Sequence, residues 1–115
     1  MLVVPFFINA KTTYTEQQKI NHLIAYIRIL KDATFIRNGS EHTAIEAADH
    51  LKMKLGKAGD KIKTAEDFIE KIASVSSITG EPYKIKFADG KEYTCGVILR
   101  MELKRLEDGK VKLLN

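Results

Sequence analysis

The sequence predicts an α+β fold: about four helices packed around a small antiparallel β-hairpin sheet, in a single compact domain. The chain has 115 residues, the size of one domain that can bury its own core. Apolar residues recur at helical spacing in several segments, whereas the segment before Asp89-Gly90 alternates apolar and basic residues as a half-buried strand does. With 44% hydrophobic and 30% charged residues, the composition is that of a globular protein.

The N-terminal segment Met1–Ala10 is apolar and uncharged, and the chain becomes polar at Lys11. Ala10 and an aliphatic residue two positions earlier match the small-residue cleavage site of a secretory signal, although the positively charged start is missing. We interpret residues 1–10 as the remnant of a signal peptide and 11–115 as the domain, with a buried N-terminal strand as the alternative. The segment is too short to span a bilayer, which takes about 20 residues.

The first helix is predicted over residues 16–31. Thr15 and Gln18 form a capping box, and apolar residues follow at helical spacing at Ile20, Leu23, Ile24, Ile27 and Leu30. His22 lies opposite this apolar face, so we expect it to face solvent.

A tight turn and a second helix follow. Thr34–Arg37 is a short β-prone run, and Asn38-Gly39 is a strong two-residue turn signal. Thr43 with Glu46 is a second capping box, and the helix is expected to end at Gly56 or Gly59. Its expected apolar face is Ala44, Ala47, Ala48, Leu51 and Leu55.

Thr64 is expected to cap the third helix, whose predicted buried face is Ala65, Phe68, Ile69, Ile72 and Ala73. A serine-rich connector, Ser74–Gly80, leads to a strand over Tyr83–Phe87. Apolar residues at Val97, Leu99, Met101, Leu103 and Leu106 predict a last helix that ends at Asp108-Gly109, with a frayed tail after it.

The register of the Asp89-Gly90 hairpin has two possibilities. A two-residue loop would place Ile85 opposite Thr94, whereas a three-residue loop places Ile85 opposite Tyr93 and Tyr83 opposite Cys95. We choose the second register because it places all the apolar residues of the hairpin on one face. These residues are Tyr83, Ile85, Phe87, Tyr93 and Cys95. This register makes the single cysteine a buried thiol and not a nucleophile.

Several separated motifs, in order, resemble the YfeK-like family of small exported proteins of Gram-negative bacteria. They are Phe35-Ile-Arg-Asn-Gly-Ser-Glu-His-Thr43, Glu46-Ala-Ala-Asp-His-Leu-Lys-Met-Lys-Leu-Gly56, Thr64-Ala-Glu-Asp-Phe-Ile-Glu-Lys-Ile-Ala-Ser74 and Ser76-Ser-Ile-Thr-Gly-Glu-Pro-Tyr83. The resemblance covers roughly residues 15 to 87. It implies an exported domain, periplasmic or secreted, and no catalytic residues, because the function of that family is not assigned.

The candidate metal set is His42, Glu46 and His50, which are spaced by four. Two imidazoles and a carboxylate could hold zinc with one position open. The H-E-x-x-H arrangement is absent, however, and we favour a structural role. In that role Glu46 closes the capping box and receives Arg37, while His50 packs against Tyr83 or the connector.

The competing hypothesis is an enzyme, a metal-dependent or serine-type hydrolase centred on His50 and Glu46. A connector serine, Ser74, Ser76 or Ser77, would be the nucleophile, His50 the base and Glu46 the residue that orients it. No G-x-S-x-G elbow surrounds these serines, and such runs are typical of turns. We therefore assign no catalytic residue and expect no cofactor.

We favour a non-enzymatic binding or envelope-associated module. The net charge is +4, and the cations that could face a partner are Arg37, Lys52, Lys54, Lys57, Lys61 and Lys63. The expected partner is an envelope polyanion or a protein; the expected export and the absence of interleaved aromatic residues argue against nucleic acid. The candidate binding residues are Arg37, Glu46, His50, Ser76, Ser77 and Tyr83.

Overall fold

Helices pack against a four-stranded antiparallel sheet in the computed structural model, which describes residues 13–115. The helices are α1 (Glu16–Ile29), α2 (Ala44–Ala58), α3 (Ala65–Asp67) with its π-helical continuation Phe68–Ala73, and α4 (Cys95–Glu107), with a short 3-10 turn at Gly59–Lys61. The strands are β1 (Thr34–Arg37), β2 (Ser40–His42), β3 (Lys84–Lys86) and β4 (Glu92–Thr94). The predicted α+β class is confirmed. The predicted signal-peptide remnant lies outside the described residues.

Side-chain caps begin the first three helices, as the sequence predicts. In the capping boxes of α1 and α2, the Thr15 and Thr43 side chains accept from the third helical residue, whose own side chain returns to the cap backbone. Thr64 and Asp67 form the same arrangement at α3. These bonds satisfy backbone N–H groups that a helix start leaves without partners.

The sheet has the strand order β2-β1-β3-β4, so a strand distant in sequence pairs with the first hairpin. Ile85 lies opposite Tyr93, and the Cys95 N–H donates to the Tyr83 carbonyl at 2.8 Å, which confirms the predicted register. Cys95 is buried as predicted. Tyr93 is 41% exposed and only packs edge-on against Phe87, because β4 is an edge strand.

The core lies where α1, α2, the π-helical segment and α4 meet the sheet. The predicted buried face of the third helix is correct at each of its five positions. In α4 the inward face differs from the apolar pattern: Val97 and Met101 are about half exposed, while Ile98 and Glu102 are buried. The sequence pattern failed there because a charged residue takes a core position.

That charged residue pairs with His22, and the expectation that His22 faces solvent is wrong. His22 is 0% exposed, and its Nε2 lies 2.7 Å from the Glu102 carboxylate. The Leu114 N–H donates to His22 Nδ1 at 2.9 Å, so the tail packs back onto α1 and is not frayed. Since Nδ1 accepts, the imidazole is held as the neutral tautomer that donates from Nε2.

Lys54 fixes the serine-rich connector to α2. Its ammonium donates to the Ile72 carbonyl at 2.8 Å, to the Val75 carbonyl at 3.2 Å and to the Tyr83 hydroxyl at 3.0 Å. A bridge between Val75 and Pro82 closes the connector into a loop beside α2. This loop, α2 and the β1–β2 hairpin enclose the candidate site. No helix of residues 13–115 is long and apolar enough to cross a membrane.

Candidate anion-binding groove

A groove with a volume of about 510 Å³ lies between the β1–β2 hairpin, α2 and the serine-rich connector. Its lining contains three cations and two imidazoles and, within residues 13–115, no acidic side chain: Arg37, Asn38, Ser40, His42, His50, Met53, Lys54, Lys57, Ser76, Ser77, Ile78 and Tyr83. We call this the basic groove.

Five of the six residues predicted to bind line the basic groove, and they reach it from separate elements. Arg37 ends β1, His50 projects from α2, Ser76 and Ser77 lie in the connector, and Tyr83 precedes β3. Glu46 does not line it. Its carboxylate turns back to accept the Thr43 N–H at 2.8 Å, which is the predicted capping box. The predicted ion pair between Glu46 and Arg37 is not formed.

The three residues predicted as a metal set are not assembled as one. Among residues 13–115, no three histidine, cysteine, aspartate or glutamate side chains come close enough to hold a metal ion. Glu46 is committed to its cap, and His50 Nε2 lies 3.4 Å from the Tyr83 hydroxyl. The spacing of four places residues near one another along the helix, but the cap directs the carboxylate away.

The connector serines have structural partners. The buried Ser76 hydroxyl accepts from Asn38 Nδ2 at 3.1 Å and from two backbone N–H groups of its own loop. Ser74, directly after the π-helical segment, donates to the Ile69 carbonyl within that segment. No hydrogen bond joins either serine to His50 in the described part of the chain. Ser77 is exposed at the rim of the groove.

Tyr83 anchors the inner wall of the basic groove. It is 7% exposed, its hydroxyl accepts from Lys54, and its ring lies 4.9 Å from the Lys54 ammonium. His50 packs edge-on against the same ring, with 6.2 Å between the ring centres. The predicted packing of His50 against Tyr83 is therefore confirmed. Because all three N–H donors of the Lys54 ammonium bond to protein oxygens, Lys54 contributes charge to the groove but no free donor.

Among residues 13–115, two cations and one buried imidazole nitrogen of the groove have no hydrogen-bond or ion-pair partner. They are the Arg37 guanidinium, the Lys57 ammonium and the buried Nε2 of His42. A buried nitrogen without a partner costs about 1–3 kcal/mol, so His42 Nε2 would gain from a ligand that hydrogen-bonds to it.

The electrostatics of the groove oppose further positive charge. The pKa of His50 is lowered from its ordinary value of 6.5, first by burial and then by the charges of Arg37 and Lys54, with smaller contributions from His42 and Lys57. An anion bound beside these groups would act against this lowering of the pKa, because its negative charge stabilises the charged imidazolium.

A small cavity of about 30 Å³ continues the groove inward, between β1, α2 and the start of α4. Phe35, Leu51 and Cys95 line its apolar part, and Arg37 and His42 line its polar part. Burial raises the pKa of the Cys95 thiol to about 12, so the thiol stays protonated and is a poor nucleophile.

Three of the cations predicted to face a partner lie outside the groove, and two apolar residues that line it were not predicted. Of the predicted cations, Lys52 faces a separate depression beside α1, and neither Lys61 nor Lys63 lines the groove. Two apolar residues of the rim were missed, Met53 at 47% and Ile78 at 91% exposure. The available signal was an isolated isoleucine inside a serine- and threonine-rich connector.

Asn38 was recognised as a turn residue, but its side chain also fastens the hairpin to the connector. It donates to Ser76 and accepts from the Thr79 hydroxyl at 2.6 Å. These bonds set the width of the groove, because they join its two walls.

Comparison with known proteins gives a family and a relative. A family of unknown function, DUF5329, matches residues 14–107. The uncharacterized protein YfeK of Salmonella typhimurium is 45% identical over 83 residues, which cover 72% of this chain and 68% of that protein. No solved structure matches the chain. The resemblance to the YfeK-like family is confirmed, and the chain belongs to the DUF5329 family.

Proposed function

We propose that this protein is an exported, non-enzymatic module that binds an anionic component of the cell envelope in its basic groove. The observation that carries the proposal is the lining: the guanidinium of Arg37 and the ammonium of Lys57 face the groove with no acidic neighbour in it. Unpaired surface cations are common on their own. Here the cations converge with two imidazoles on one concave surface, which is the arrangement that attracts an anion.

The groove also supplies groups that hold an anion in place. A guanidinium offers planar, paired donors that match a carboxylate, sulfate or phosphate, and charge-assisted bonds of this kind are the stronger ones. The hairpin and connector walls are joined through Asn38, so little ordering should accompany binding.

Binding of dextran sulfate to the full 115-residue chain, compared with neutral dextran, tests this function. The groove variant is Arg37→Gln with Lys57→Gln, and the control variant, Lys91→Gln with Lys110→Gln, removes the same charge from exposed positions outside the groove. We expect the groove variant to lose about tenfold or more in affinity and the control about threefold or less. Equal losses in both variants would show attraction to the net charge alone and contradict the proposal.

Export is the second part of the proposal, and it is supported by the apolar segment Met1–Ala10 and by the resemblance to exported proteins. N-terminal sequencing of the protein recovered from fractions of the cells that encode it checks this part. We expect periplasmic or secreted material that begins at Lys11. Protein confined to the cytosolic fraction, with residues before Lys11 intact, would contradict export and leave the anion-binding groove to be judged separately.

A further inference from the structure

We propose that the basic groove takes a compact oxyanion group on a larger, partly apolar molecule, seated between Arg37 and the imidazoles of His42 and His50, and that binding draws a proton onto the site. The oxyanion is the sulfate, phosphate or carboxylate end of the ligand. This inference rests on the proposed anion-binding function and specifies its ligand and its dependence on pH.

The inner wall of the groove carries a nitrogen that can bind an oxyanion. His42 Nε2 is buried without a partner, and His42 and Arg37 line both the groove and the small cavity behind it. In a neutral imidazole one nitrogen donates and the other accepts, whereas a protonated imidazole donates from both. A ligand oxygen would give His42 Nε2 the partner that it lacks and would at the same time accept from Arg37.

The volume of the inner cavity limits the part of the ligand that can enter it. The inner cavity of about 30 Å³ contrasts with the 510 Å³ of the groove that leads to it. Since one water needs about 10–15 Å³ by this measure, the cavity admits two or three oxygen-sized atoms and not a ring. The body of the ligand must therefore lie in the outer groove, where Met53 and the almost fully exposed Ile78 offer apolar contact.

The surroundings of His50 determine whether its imidazole takes up a proton when an anion binds. The charged or titratable groups near His50 are Arg37 from β1, His42 from β2, Lys54 and Lys57 from α2, Tyr83 before β3, Lys84 from β3 and the Cys95 thiol at the start of α4. None of them is a carboxylate, and Glu46, one turn earlier on α2, is turned to the Thr43 N–H. A charged His50 therefore has no anionic partner within the described residues. The lowered pKa of His50 agrees with this arrangement.

Binding of an oxyanion would reverse that situation and charge the imidazole. By linkage, each unit of increase in the pKa on binding makes the affinity about tenfold higher below the pKa of the free protein than above that of the complex. The ligand should bind more tightly in mildly acidic than in neutral solution.

Calorimetric titration of the full chain with inorganic sulfate and with phenyl sulfate tests the inference, because the charge of both probes is constant at about pH 5 and above. We expect phenyl sulfate to bind about threefold to tenfold more tightly at about pH 5.5 than at pH 7.5, and more tightly than inorganic sulfate. Titrations in two buffers of different ionisation enthalpy should show proton uptake by the wild-type protein, a measurement that needs no variant.

Variants then assign the groups. His50→Gln should remove most of the pH dependence, and His42→Gln should weaken phenyl sulfate several-fold at both pH values, with melting temperatures checked for each. The control variant, Lys91→Gln, should change neither the pH dependence nor the affinity for phenyl sulfate. Binding of phenyl sulfate without proton uptake, or with the same pH dependence in His50→Gln, would overturn this inference.

The two proposals can fail separately. If dextran sulfate binds through Arg37 and Lys57 while phenyl sulfate does not bind, the oxyanion inference fails and the anion-binding function stands. If neither probe binds at either pH, both fail.

Discussion

Glu102 is a buried carboxylate that joins α1 to α4 in the interior of the protein. One of its oxygens lies 2.7 Å from His22 Nε2, and the other accepts from Arg105 at 2.7 and 3.0 Å. His22 Nδ1 in turn accepts the Leu114 N–H. A buried carboxylate is tolerated only when it has such partners, and loss of one partner is costly.

Replacement of Glu102 by glutamine should destabilise the protein by about 2–3 kcal/mol. The amide keeps the shape, but with its oxygen on Arg105 its NH₂ group meets the Nε2–H of His22. In the other tautomer of His22, Nε2 would accept from the amide NH₂ group, but the Nδ1–H would then point at the Leu114 N–H, and two donors would face each other. No tautomer satisfies both neighbours, and urea denaturation measures the loss.

Glu92→Gln is the matched control, because Glu92 is exposed on β4 and the same chemical change there should cost less than about 0.5 kcal/mol. Equal stability of the two variants would contradict a central role for the His22–Glu102 pair.

At the scale of elements, the close contact between α4 and Ser74, the first residue after the π-helical segment, depends on Gly96. A Cβ atom at this position would lie 2.7 Å from Ser74 Oγ and 3.3 Å from Arg100 Nη1. In an open helix, alanine for glycine stabilises by up to about 1 kcal/mol. The Ser74 hydroxyl, held by the Ile69 carbonyl, makes the expected sign the opposite.

Gly96→Ala should therefore destabilise by about 1–3 kcal/mol, and the cost should depend on Ser74. We expect Ser74→Ala to cost less in the Gly96→Ala background than in the wild type, since it removes the clashing oxygen. A double-mutant cycle of urea unfolding measures this coupling. Additive effects of the two substitutions would contradict the contact.

Lys54 joins α2 to the connector, and Lys54→Met should keep its packing but remove three hydrogen bonds. Two backbone carbonyls and a hydroxyl then lose a donor, which should cost about 1–3 kcal/mol and raise amide exchange in residues 74–83. Lys52→Met, on the same helix but exposed, is the control. Unchanged exchange in the connector of the Lys54 variant would show that the lysine does not hold it.

Local elements were predictable from the sequence because their signals are local. The three N-caps and the turn at Asn38-Gly39 depend on residues a few positions apart, and the register at Ile85 depends on alternation within one hairpin. The π-helical form of Phe68–Ala73 was not predicted, because its apolar face has nearly the same spacing as that of an α-helix.

Pairings between distant residues were beyond the sequence pattern. His22 was predicted to face solvent because its partner lies 80 positions away and is itself a charged residue at a core position. The candidate site was predicted only in part for the same reason. Its residues were named, but their convergence depends on the pairing of β1 with β3 and on the closed connector.

For the whole molecule, stability should decrease in two steps as the pH falls. The pKa of His50 is lowered by burial, so below its ordinary value of 6.5 the unfolded chain binds more protons there than the folded one. This step destabilises the fold as the pH falls through 6.5 toward the lower folded value. The second step comes from carboxyl groups. The Ala65 N–H and Lys19 lower the pKa of Glu16, the Thr43 N–H lowers that of Glu46, and the Lys63 N–H lowers that of Asp67. Stability that these groups contribute is lost as the pH falls below their ordinary pKa values of 4.5, 4.5 and 3.8.

Urea unfolding across this pH range compares wild type with His50→Gln. The stability difference between the two should shift in favour of the variant as the pH falls below 6.5 and should be constant above it. A difference that is constant throughout would show that His50 does not have a lowered pKa in the folded protein.

The central claim, that the basic groove binds anions, is tested most directly by an amide chemical-shift titration of the full chain with a short sulfated dextran. The account predicts that the largest shifts occur in the elements that enclose the groove, residues 37–42, 50–57 and 76–83. It also predicts that they disappear in the Arg37→Gln, Lys57→Gln variant. Shifts spread over the exposed lysines of the whole surface, and unchanged in that variant, would contradict it.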